Sequence, residues 1–145
     1  MMDKKRAKIV KKRLKVIKPI IVAVYFVVWT IAVLHFWLFL DRRYDTIGYT
    51  ILYIYLAIPF VTFFISLLIS LFNYGGKIKW IWIPIFGIMY MLLAYVTFSL
   101  GNNILSGGIN NPDNWLLLIG SVISAVAMVI GHVVYLTVIR KLDVV

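Results

Sequence analysis

The chain has 145 residues, of which 63% are hydrophobic and 14% charged; it carries a net charge of +10 and no cysteine. Soluble domains run at about 45–50% apolar and about 25% charged, so a water-soluble globule is excluded as the class. Without cysteine there is no disulfide, no thiolate nucleophile and no Cys-ligated metal.

Residues 1–18 hold nine of the fifteen Lys and Arg: Lys4, Lys5, Arg6, Lys8, Lys11, Lys12, Arg13, Lys15 and Lys18. Between them Ala7, Val10, Leu14 and Ile17 recur at helical spacing. The pattern predicts a separate basic amphipathic helix lying in the lipid headgroup region. Each such charge is worth ~1 kcal/mol against anionic headgroups, so the positive balance is read as membrane contact and no nucleic-acid partner is expected. A docking helix for a cytoplasmic partner is the alternative. Pro19 suits the first turn of the next helix and a bend before it.

Four apolar runs then follow, at residues 19–40, 50–72, 80–100 and 115–139. A helix rises about 1.5 Å per residue, so roughly 20 residues cross the ~30 Å hydrocarbon core. The expected fold is all-α: a polytopic membrane protein with four transmembrane helices in an up-down antiparallel bundle, since short links force neighbours to run antiparallel. Residues 41–49 form the first connection, where Asp41, Arg42, Arg43 and Asp45 pair locally. Asn73, Tyr74, Gly75 and Gly76 make a tight turn before Lys77. The connection from Gly101 to Asn114 holds five Asn and three Gly, with Asn111 read as the N-cap of the last span, Pro112 at its first position and Asp113 near its positive end. Residues 140–145 are a short tail. Trp37 and Trp115, with Tyr44, Tyr49 and Tyr53, mark one interface, and Trp80 and Trp82 the other.

Charge counting orients the bundle. With the N-terminus inside, thirteen of the fifteen basic residues face the cytoplasm and only Arg42 and Arg43 face out. That satisfies the positive-inside rule at all four spans and puts both termini in the cytoplasm. Abundant Ile, Lys and Asn point to a bacterial inner membrane.

Helix contacts are read from small residues, which let backbones approach in lipid. On the fourth span Gly120, Ser124, Ala127 and Gly131 repeat at four, three and four residues; on the third, Gly87, Ala94 and Gly101 repeat every seven. Thr62, Ser66 and Ser70 form a hydroxyl stripe on the second span, either interhelical glue or the lining of a path. His35 and His132 lie at different depths, in opposite leaflets. By depth alone, Ser121 and Ser124 sit level with His35, and Ser66 and Tyr25 level with His132. A Ser–His pair is the minimum for an intramembrane hydrolase; a pH-sensing or ligand role and a plain interhelical hydrogen bond are the competing readings.

The absences narrow the chemistry. There is no Glu, and all five Asp lie outside the spans or at their ends. Proton-coupled carriers commonly place an ionisable group mid-membrane, so a carboxylate-driven exporter is disfavoured. No metal-ligand, cofactor or phosphate-loop motif occurs. The function expected is a non-catalytic membrane interaction protein (accessory, regulatory or immunity-type) that packs against another membrane protein or against itself. An oligomeric channel or transporter subunit is the alternative, and an intramembrane or lipid-acting hydrolase the minor one.

Overall fold

A computed structural model of the chain describes residues 4–39, 46–107 and 109–139. Among them there is no strand, and four helices are long and apolar enough to cross a membrane. We number these α1 (Lys4–Phe39), α2 (Thr46–Leu71), α3 (Gly76–Ile104) and α4 (Asn114–Thr137). The side chains of Lys4, Lys5, Arg6, Lys8, Lys11, Lys12, Arg13, Lys15 and Lys18 lie outside what is described, as do Asp41, Arg42, Arg43, Tyr44, Asp45 and the tail 140–145.

Where the sequence predicts two helices meeting at Pro19, there is one 36-residue helix with Pro19 inside it. Its length is about 54 Å at 1.5 Å per residue. Proline removes one hydrogen bond and crowds the preceding turn. Both flanks here are rich in Lys, Arg, Ile and Val, and the helix continues through.

α2 starts four residues before the predicted boundary and is not uniform. Thr46–Tyr49 is α-helical, Thr50–Ala57 is a wider π-helix, and Ile58–Leu71 is α-helical again. Pro59 accounts for this. In the π pattern the Ile58 amide donates back to the Tyr53 carbonyl, so the next donor, due at the Ile54 carbonyl, falls on Pro59, which has none. The Tyr90 hydroxyl of α3 donates to that orphaned carbonyl at 2.7 Å. A buried backbone acceptor is thereby satisfied from a neighbouring helix.

α2 ends in a Schellman motif. Asn73 is left-handed (φ 47), its amide donates to the Ser70 carbonyl at 3.1 Å, and the Tyr74 amide reaches the Ile69 carbonyl at 2.9 Å. Satisfying the last carbonyls this way is how helices commonly stop. Gly75 and Gly76 follow with φ of 79 and 59. The chain then enters a 3-10 helix, Gly76–Ile81, before the α-helical Trp82–Ala94. α3 widens to a π segment at Tyr95–Ser99 and runs on as Leu100–Ser106, ending at left-handed Gly107. The Asn-rich connection is therefore shorter than predicted. Its cap is also a different residue: Asp113, not Asn111, accepts from the Trp115 amide at 3.0 Å, and α4 begins at Asn114. Asp and Asn are about equally good caps in general, and at Asp113 the bond is also charge-assisted.

α4 packs closely against both α2 and α3, and α1 packs more lightly against the same pair. The close approaches occur at glycine. A Cβ on Gly87 would strike Ser121 Oγ and the Leu117 carbonyl, and one on Gly131 would lie 2.7 Å from the Leu67 carbonyl and 2.9 Å from Ser70 Cβ. α1 is held differently, by side chains donating to main-chain carbonyls. Trp29 Nε1 reaches the Met89 carbonyl at 2.9 Å, Trp37 Nε1 the Val96 carbonyl at 3.2 Å, and the Tyr49 hydroxyl the Ala32 carbonyl at 3.0 Å. Trp37 and Tyr49 thus turn into the protein instead of standing in an interfacial belt. Two apolar clusters fill the interior. One holds Ile21, Tyr25, Ile65, Ile69, Phe86 and Met128 near the α2–α3 turn. The other holds Ala32, Tyr49, Ile54, Ile58, Tyr90 and Leu93 toward Asp113.

Candidate functional site

The α2–α3 turn builds a polar cluster that sequence patterning does not reveal. Lys79, one of the thirteen basic residues that charge counting places on the cytoplasmic side, is only 1% exposed. The 3-10 turn carries it under the molecule, because 3.0 residues per turn and a rise near 2.0 Å point it elsewhere than an α-helix would. Its Nζ donates to His132 Nδ1 at 3.0 Å and to Asn73 Oδ1 at 3.4 Å. It also lies 5.6 Å from the Trp80 ring centroid and 5.8 Å from that of Tyr135. Asn73 Nδ2 in turn donates to the Tyr135 hydroxyl at 3.5 Å. The left-handed residue that ends α2 is thus also the hub between Lys79 and α4.

None of these partners is a carboxylate. Among the described residues Asp113 is the only acid, and it sits 19 positions before His132, about 28 Å away along α4. A buried ammonium without a carboxylate is retained only by strong local dipoles and π faces. Here an imidazole nitrogen, an amide oxygen and two aromatic rings supply them.

At the opposite end, His35 does not meet Ser121 or Ser124. Its Nδ1 shares a hydrogen bond with the Tyr53 hydroxyl at 3.2 Å, with its ring 5.3 Å from that of Tyr53 and 6.2 Å from that of Tyr49. Equal depth says nothing about direction around the helix axis, and α1 faces α2 there. For the same reason His132 meets Lys79 of α3, not Ser66 or Tyr25. No Ser–His pair forms among the described residues, and Ser121 Oγ instead lies against the Gly87 backbone.

The hydroxyl stripe of α2 is enclosed. Thr62, Ser66 and Ser70 are all buried. Ser66 Oγ and Ser124 Oγ are 2.8 Å apart, and Ser70 Oγ donates to the Met128 carbonyl at 2.7 Å. Thr62 Oγ1 and the Tyr25 hydroxyl are buried without a hydrogen-bond partner. Gly120, Ser124, Ala127 and Gly131 are all buried on one face of α4, with Gly120 against Gly87 and Tyr90 and Gly131 against Leu67 and Ser70. The seven-residue repeat of α3 divides instead. Gly87 meets α4, whereas Gly101 lies against the Phe36 ring of α1, at 3.5–3.6 Å from its would-be Cβ. Ala94 packs with the cluster around Tyr90 and Leu93. Among the described residues no group of His, Cys, Asp and Glu has the makings of a metal site.

Comparison with family profiles, with curated proteins and with solved structures finds no match to this chain.

Proposed function

We propose that the chain is a multi-pass protein of a bacterial inner membrane, its four helices inserted as an up-down antiparallel bundle with the α2–α3 turn and both termini in the cytoplasm. It acts without catalysis, through contact with another membrane protein or a second copy of itself, as an accessory, regulatory or immunity-type subunit. The basic residues before Pro19 add attraction to anionic headgroups on the cytoplasmic side.

The observation that carries this reading is the free side of α1. The most apolar stretch of α1 has 17% of its residues buried, against 39% for α2. Among its exposed large side chains, which also include Phe26, Ile20, Val24, Val27, Ile31, Leu34 and Leu38 are spaced alternately four and three apart. That 3.5-residue repeat of branched and γ-branched chains is the seam on which a second helix packs knobs into holes. The small-residue stripe of α4 is used within the chain, so it offers no groove to a partner. The hydroxyl stripe of α2 likewise faces inward, which removes the feature that favoured an oligomeric channel.

The cysteine-free background makes the test direct. Single cysteines along α1 are oxidised in native membranes. The expected result is crosslinking to self or to one discrete protein at positions 24, 27, 31 and 34, with little at the buried positions Tyr25 and Ala32. Absence of crosslinks at every position, together with a monomer by single-molecule photobleaching in bilayers, rejects the reading.

A further inference from the structure

We propose that Lys79 and His132 form a proton-responsive latch between α3 and α4 at the end of the molecule bearing the α2–α3 turn. No part of this depends on what packs against α1. The contact itself sets the rule. An ammonium donating to Nδ1 at 3.0 Å needs that nitrogen unprotonated, with the imidazole proton on Nε2. A second proton places an N–H on Nδ1. Donor then faces donor, and two like charges stand at contact distance.

Among the described residues nothing nearby offsets that second charge. From α3 the groups facing His132 are Lys79 and the Trp80 ring, 5.8 Å from the imidazole. From α4 itself there is Tyr135, stacked at 6.4 Å. From the turn, Asn73 bonds both Lys79 and Tyr135. α2 brings Leu67, Ser70 and Leu71 against the adjoining Gly131, none of them titratable. Lys77, the other described lysine of the turn, is exposed and adds to the positive field. No carboxylate lies at this end among the described residues.

The Lys79 ammonium has somewhere to go. Its four-carbon stem allows the head to snorkel past the flanking residues to the headgroup layer, where Lys77 is already exposed. Departure of Nζ leaves Asn73 Oδ1 without its donor and opens the tie from Gly76–Ile81 to α4. The device converts a local acidification into looser attachment of one helix start.

The test uses the full chain in lipid bilayers, with nitroxides on cysteines introduced at the exposed positions Ile78 and Val133. Spin–spin distances are compared at about pH 8 and about pH 5, the interval over which imidazoles ordinarily change charge. One narrow distance is expected at the higher pH, and a severalfold larger long-distance population at the lower. His132→Gln offers a neutral acceptor that does not titrate, and stays narrow at both values. Lys79→Met is broad at both values, with no pH response. A wild-type distribution that does not change with pH overturns the latch. So does a pH response that survives in either variant.

Discussion

Gly131→Ala is the substitution whose sign separates packing from helix propensity. An isolated helix gains about 1 kcal/mol when an interior glycine becomes alanine. In this chain the new Cβ meets the Leu67 carbonyl at 2.7 Å and Ser70 Cβ at 2.9 Å. Neither is the free end of a flexible side chain, so α2 and α4 must separate. Overpacking of that kind costs about 1–3 kcal/mol. Separation also strains the Ser66–Ser124 and Ser70–Met128 hydrogen bonds, each worth about 0.6 kcal/mol in a membrane protein. The net expectation is a loss of about 1–3 kcal/mol. Gly101→Ala is the internal control. Its Cβ would lie 3.5 Å from Phe36, an ordinary contact, so the propensity gain is kept and stability holds or rises. Reversible unfolding in mixed micelles, or steric trapping in bicelles, measures both. If Gly131→Ala is as stable as the parent, or if the two substitutions shift stability alike, the close approach of α2 and α4 at this point is wrong.

Other substitutions probe the polar ties. Tyr90→Phe removes the donor to the Ile54 carbonyl and should cost about 1–3 kcal/mol, the penalty of an orphaned buried acceptor, in the same unfolding assay. Ser66→Ala and Ser124→Ala should each destabilise. The double variant should recover about 0.6 kcal/mol relative to their sum, because the second change removes a hydroxyl already without its partner. Asp113→Ala removes the cap on the Trp115 amide and should cost about 1 kcal/mol, read as faster amide exchange in the first turn of α4 while α2 is unchanged.

The four helices were legible because their apolar length needs only a count of consecutive apolar residues. The α4 stripe was legible too: Gly120, Ser124, Ala127 and Gly131 lie on a regular helix, so a fixed angle per residue holds from end to end. α3 broke the same logic. A π segment at Tyr95–Ser99 turns through a smaller angle per residue than an α-helix, so Gly87 and Gly101 share a repeat in sequence but not a face in space. The cluster around Lys79 was missed because its position depends on a 3-10 turn, on the left-handed Asn73 and on a histidine more than fifty residues later. Sequence offered one signal, the doubled glycine before Lys-Ile-Lys-Trp, which permits a backbone that brings a lysine under the chain. The histidine pairings failed because depth was known and azimuth was not.

The proline of α2 has a consequence for how such a chain can vary. Position 59 creates a vacancy at the Ile54 carbonyl, and position 90 fills it from another helix. The two sites are therefore one unit of inheritance: a tyrosine at 90 is dispensable only where 59 regains an amide hydrogen. Pro59→Ala should accordingly rescue Tyr90→Phe while doing little alone, and any homologous chains should exchange the two residues as a pair.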